Sequence, residues 1–227
     1  MKRTITIVII ILVALGFGYF LFKISPEQPA GSGGWAQDFN LSDFETISQP
    51  KDISFDDHIL GNPEAKNVLV EYGDLQCPAC AAFEPTLKQL PDQLKDTKVV
   101  FRHLPLNIFS ADLHPNSIPA AYAAEAASAQ GKFWDWKFLA YEKQAEWSNL
   151  IDPIDKFVEY AQIAGVADLN KFRSDITNKT YKDKLQKDIS ESLGLKVEST
   201  PTLYFNGTKI SSGDINSIKS QVEQLYK

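Results

Sequence analysis

The chain has 227 residues, with 23 Lys and Arg against 29 Asp and Glu, a formal net charge of −6 and 44% hydrophobic residues. That length suffices for one ordinary domain plus an appendage, and the apolar content excludes disorder throughout. The acidic balance gives no basic footprint for a phosphate backbone, so nucleic acid is not an expected partner, and two cysteines cannot staple a disulfide-rich scaffold.

Thr4 to Phe22 run for 19 residues without a charge. As a helix this is about 28 Å, close to the hydrocarbon thickness of a bilayer. Lys2, Arg3 and the amino terminus precede the run and Lys23 follows it. The positive-inside bias therefore reads residues 1–23 as a cytoplasmic tip and single transmembrane anchor, with the rest of the chain outside the cytosol. A cleaved signal peptide is the competing reading, but the run exceeds the usual h-region and no A-x-A site follows it directly. Residues 24–50 read as a linker, beginning with the tether SPEQPAGSGG. Its second half holds Trp35, Phe39, Leu41, Phe44 and Ile47 at no clean period, so it either docks on the domain or stands off the membrane. Residues 51–227 form the domain, acidic enough to be soluble and monomeric.

Within that domain, Asn67 to Tyr72 is a β-branched and aromatic run after the turn signal Gly61-Asn62-Pro63, and it predicts an interior strand. Cys80 to Leu90 has Phe83, Leu87 and Leu90 at helical spacing around Pro85, and Val99 to Leu104 is a second strand. From Ser117 to Leu193 the pattern is helical. Trp134, Phe138 and Tyr141 form one ladder and Tyr181, Leu185, Ile189 and Leu193 another, with Asp152-Pro153 as an N-cap followed by Pro at N1. The helical insert spans residues 113–194. Thr202 to Phe205 and Lys209 to Ser211 flank the hairpin signal Asn206-Gly207, and a last helix runs from Asp214 to Leu225. The order β-α-β, helical insert, β-β-α is an α/β class.

The two cysteines, Cys77-Pro78-Ala79-Cys80, sit three apart where the first strand gives way to a helix. Residues i and i+3 on a helix are neighbours, so a small adjustment closes or opens a disulfide without unfolding the domain. The free N–H groups at the helix start favour a thiolate at Cys77, making it attacker and leaving group, with Cys80 one turn inside as the resolving thiol. A purely stabilising disulfide is the bland alternative, but a ring this small removes little unfolded-state entropy. Zinc would need two further ligands, and His58, His103 and His114 form no H-x3-5-H pair, so no metal is expected. His103 and His114 read as structural. Asp74 reads as solvated.

Gly61-Asn62-Pro63 with Ala65, then VLVEYGDLQCPAC, Leu104 to Leu106, GKFW from Gly131 and STPTLYFNG from Ser199 resemble the DsbA-like thiol:disulfide oxidoreductases of the thioredoxin superfamily. The resemblance implies a thioredoxin fold with a helical insertion. It also implies Cys77 as nucleophile, Cys80 as its buried partner and Pro201 as a cis-proline packed against them. Thr200 would offer its backbone to an extended substrate segment, and Glu71 would be a buried acid that exchanges the Cys80 proton, the alternative being an outward-facing carboxylate. No cofactor is implied beyond the Cys77–Cys80 disulfide. The implied partners are exported proteins with reduced cysteines and a membrane redox protein that reoxidises the pair, in a bacterial cell envelope. Ala79 departs from the family's strongest oxidases, which carry His there. The expected potential therefore falls between roughly −120 and −270 mV, with reductase, isomerase and non-catalytic binding module left as alternatives.

Overall fold

The computed structural model describes residues 35–110 and 112–225. The expected membrane anchor and the first part of the linker lie outside these residues. No helix among the described residues is long and apolar enough to cross a membrane.

Five strands form one mixed sheet: β1 (His58–Leu60), β2 (Asn67–Gly73), β3 (Thr97–His103), β4 (Thr202–Phe205) and β5 (Thr208–Ile210). Their spatial order is β1-β3-β2-β4-β5, with β2 and β3 parallel and the other neighbours antiparallel. The parallel pair requires a crossover, supplied by α1 (Pro78–Leu87) and α2 (Leu90–Gln93). The helical insert comprises α3 (Ser117–Ser128), α4 (Phe133–Glu142), α5 (Gln144–Trp147), α6 (Ile154–Ile163), α7 (Leu169–Thr177) and α8 (Lys182–Gly194), and the chain closes with α9 (Ile215–Leu225). A thioredoxin-like α/β fold with a helical insertion is therefore what the residues build.

Alternation along β2 divides the core. Leu69 packs with Phe83 and Leu87 of α1 and Ile218 and Val222 of α9, while Val70 and Tyr72 belong to the larger cluster that runs into the insert. Tyr72 and Arg102 point toward α8, where both bond the Glu191 carboxylate, and Arg102 also pairs with Asp57 at 2.8 Å. A buried guanidinium holding two carboxylates satisfies groups that would be costly alone, and ties the turn before β1 to the insert. At the far end of the sheet, Asn206 (φ 47°) and Gly207 (φ 82°) make the expected hairpin turn.

The structure corrects several boundaries. β1 was not anticipated, because three residues after a turn carry too little pattern. Asp152 does not cap in the expected frame: its Oδ1 accepts from Ile154 N at 2.9 Å, and α6 starts one residue after Pro153. The buried stripe of α4 is Phe133, Trp136, Lys137, Ala140 and Tyr141, not the Trp134-Phe138-Tyr141 ladder. The second half of the linker docks: Trp35 and Phe39 join the core, and Ile47 N donates to Gly194 O at 3.1 Å. A Cβ at Gly194 would overlap the Glu45 carbonyl, so glycine there admits the strap.

Trp35 is 9% exposed, tilted against Tyr122 at 5.6 Å between ring centroids. Trp35→Ala is expected to cost about 3 kcal/mol in urea unfolding of the full chain. A loss below about 0.5 kcal/mol, the range of ordinary surface changes, would mean that the strap does not hold the domain.

Candidate active site

β2 ends at Gly73, whose flat backbone passes so close to Phe101 that a Cβ would overlap the ring. The chain then turns through Asp74. This residue is 1% exposed, contrary to the solvated position expected of it. Its Oδ1 accepts from Gln76 N at 2.7 Å, its Oδ2 accepts from Leu106 N at 2.8 Å and meets His114 Nδ1 at 2.8 Å, and its carbonyl accepts from Cys77 N at 3.0 Å. A short loop between strand and helix leaves backbone donors without ladder partners, and a buried carboxylate collects them. The insert holds the same loop from outside: Gln144 Nε2 donates to the carbonyls of Leu75 (2.9 Å) and Cys77 (3.1 Å), and Gln76 Nε2 donates to Ser148 O at 2.7 Å.

Cys77 is the N-cap of α1, with extended backbone and Pro78 in the first turn. Both cysteines are free thiols, Cys77 at 6% exposure and Cys80 at 0%. The Thr200-Pro201 peptide is cis, and the Cys77 thiol donates to Thr200 O at 3.4 Å, which puts this turn beside Cys77. The Cys77 thiol is held at a pKa of about 5. The largest cause is the neighbouring Cys80 thiol; burial opposes it, and the backbone amides of Cys80 and Ala79 add to it. The helix amides expected to carry this effect do contribute, behind a side chain that spacing alone could not rank. Burial, followed by the Cys77 bond and the Glu71 charge, pushes Cys80 well above the ordinary thiol range.

Glu71 faces inward, fully buried, resolving the choice between a buried and an outward-facing acid. Neither of its carboxylate oxygens has a hydrogen-bond partner among the described residues. Its nearest counter-charge is Lys137 Nζ at 3.9 Å, and that ammonium bonds Glu84 Oε2 at 2.7 Å while lying 4.6 Å from the Phe101 ring centroid. Burial, resisted by Lys137 and reinforced by Glu84 and Cys77, raises Glu71 to about 7. Glu84 and Lys137 were missed in the sequence because they lie 53 positions apart and meet only through tertiary packing. The available signal was a lone lysine inside the aromatic run FWDWKFLAY.

His58, His103 and Glu125 form the one potential metal-ligand cluster among the described residues. The two imidazole Nε2 atoms lie 2.7 and 2.9 Å from the same Glu125 oxygen, which are hydrogen-bond distances that account for the arrangement as buried polar core.

Because Glu71 titrates higher in the folded chain than its ordinary 4.5, the folded state binds the extra proton, and the Glu71 contribution to stability falls as pH rises between about 4.5 and 7, against the opposite contribution of the Cys77 thiolate. With both cysteines reduced, Glu71→Gln is expected to flatten that decline, gaining stability on wild type at pH 8 relative to pH 4.5 in denaturant unfolding. An unchanged slope would show that Glu71 does not hold a proton at neutral pH.

A family model described as Thioredoxin matches residues 54–224. Among curated proteins, the Na(+)/H(+) antiporter NhaA 1 of Salinispora arenicola is 35% identical over 171 residues, 75% of this chain but 25% of the antiporter. That of Mycobacterium sp. (strain KMS) is 32% identical over 191 residues, 82% of this chain and 27% of the antiporter. The chain thus spans about a quarter of these relatives' length. Among solved structures, oxidised BdbD from Bacillus subtilis superposes with a TM-score of 0.65 at 24% identity, covering 80% of this chain and 98% of BdbD. Wolbachia pipientis alpha-DsbA1 gives 0.64 at 19% identity over 77% and 92%. The reduced disulfide bond oxidoreductase DsbG of Mycobacterium tuberculosis gives 0.59 at 22% over 75% and 88%. At these identities the superpositions speak for the fold, whereas the family match covers the sheet, the insert and the Cys-Pro-Ala-Cys turn together: the chain belongs to the thioredoxin family.

Proposed function

We propose that this chain is a membrane-tethered thiol:disulfide oxidoreductase that introduces disulfides into exported proteins through Cys77 and Cys80. The observation that carries this reading is the split between two sulfurs of one helical turn, one at a pKa of about 5 and the other pushed well above the thiol range. A low leaving-group pKa makes Cys77 depart readily, and a stabilised reduced form makes the disulfide state oxidising.

In the oxidised enzyme a substrate thiolate attacks Cys77 Sγ. The Cys77–Cys80 bond breaks, its electron pair leaves on Cys80, and Cys80 takes a proton for which Glu71 is the buried donor. A second substrate thiolate then attacks the substrate sulfur of the mixed disulfide, and the pair stays on Cys77 as thiolate. Two substrate thiols are oxidised and one enzyme disulfide is reduced; of the two protons lost by substrate, one reaches Cys80 and one reaches solvent. Thr200, beside Cys77 across the cis peptide, presents its backbone to the substrate segment. A membrane redox partner restores the disulfide, and residues 1–23 keep the domain at the outer face of the cell membrane. Reduction of disulfides by the same site is the second reading, favoured by Ala79, which supplies no charge between the cysteines.

Full-length chain bearing Cys80→Ser should accumulate mixed disulfides on Cys77 with reduced, unfolded client proteins, and Cys77→Ser should abolish both trapping and client oxidation. Equilibration of wild type with glutathione should give a potential above about −270 mV; a value there or lower would assign the reductase role. Oxidation that survives Cys77→Ser would overturn the exchange reading.

A further inference from the structure

His114 reaches the active-site loop from a segment outside the Cys-Pro-Ala-Cys motif. It lies between the turn Leu106–Ile108 and α3, at φ 52°, with a side chain 18% exposed. Two contacts clasp its segment to the loop that delivers Cys77. His114 Nδ1 meets Asp74 Oδ2 at 2.8 Å, and two residues on, Asn116 N donates to Gln76 Oε1 at 2.6 Å. Asp74 cannot swing to follow the ring, since Gln76 N and Leu106 N already occupy its two oxygens. The imidazole is therefore fixed in place, and Nε2 has no hydrogen-bond partner among the described residues.

A buried carboxylate with a single ionisable partner favours that partner's protonated form. The Asp74 bond, ahead of the opposing burial, raises His114 above its ordinary 6.5, and the Asp74 and Cys77 charges raise it further. Asp74 and Cys77 are the charged groups that bear on it among the described residues.

We propose that His114, paired with Asp74, is a positioning residue for the exchange reaction: a fixed cation beside the active-site loop that stabilises Cys77 as the departing thiolate, where the Cys-Pro-Ala-Cys motif itself offers no charge. This rests on the oxidoreductase reading above and deepens it. The step served is the second one, in which the electron pair of the broken mixed-disulfide bond stays on Cys77. The sequence assigned His114 a structural place only, because the forty positions between it and Asp74 hide the pairing.

The test uses full-length chain carrying His114→Asn, which tolerates a positive φ and keeps a donor for Asp74 while removing the charge. The expected result is a Cys77 thiolate titration displaced upward and a glutathione equilibrium constant shifted roughly three- to tenfold toward a less oxidising enzyme. His114→Lys should recover at least half of both shifts, which a merely structural role would not. Wild-type titration and wild-type equilibrium constant in His114→Asn would overturn the proposal, as would equal shifts in the Asn and Lys variants. If His114→Asn fails to fold, His114→Gln is read the same way. Cys77 ionisation needs no exchange to be measured, so a wild-type chain that fails to exchange with glutathione would sink the oxidoreductase reading and leave the His114 charge still decided by titration.

Discussion

The opposed ionisation of two thiols one helical turn apart organises this site. Full burial keeps Cys80 protonated. Cys77 can carry its charge only where that charge is tolerated, which the Cys80 thiol and the first amides of α1 provide. The two thiols are chemically alike and become opposites by placement: the one at the N-cap gives up its proton easily and the one in the first turn does not. The rest of the molecule keeps that difference in place. Asp74 fixes the path into the helix, Gln144 of α5 and Gln76 pin the loop to the insert, and the Thr200-Pro201 turn closes the opposite side.

Beneath the sulfurs lies a layer of charge that hydrophobic packing alone would not retain. Glu71, Lys137 and Glu84 form a fully buried run in which one ammonium serves two carboxylates unequally, 2.7 Å from Glu84 and 3.9 Å from Glu71. Such groups contribute little net stability once desolvation is counted. Their value is chemical: full burial, which Lys137 offsets only in part, lifts Glu71 to about 7, where an acid can both hold and release a proton. The Arg102 group on the opposite sheet face differs, since Asp57 and Glu191 both bond the guanidinium directly and neither carboxylate is left unpaired.

Local pattern made some of this legible and hid the rest for reasons that can be named. Cys77 and Cys80 were readable because the chemistry depends on three-residue spacing, and β2, β4 and the Asn206-Gly207 turn were readable because interior strands and type I′ hairpins write themselves into a few consecutive residues. Glu71 followed from a charge inside an apolar run. Asp74 was misread because its neighbours in space, Leu106 N and His114, are more than thirty positions away. Lys137 was obscured by aromatic neighbours whose periodicity fitted more than one face of α4. Trp35 and Phe39 keep no period because their strap is neither helix nor strand for most of its length, so its docking on α8 and Tyr122 is a tertiary fact without a local signature.

The most direct measurement is the thiolate absorbance of the reduced chain followed against pH, alone and with Cys80→Ala. Half-ionisation of Cys77 at a pH of about 5 in the wild type is expected, moving upward when the Cys80 thiol is removed. A midpoint at about 8.5, the value of a free cysteine, or one that ignores the loss of Cys80, would contradict a site built on the coupling of the two thiols.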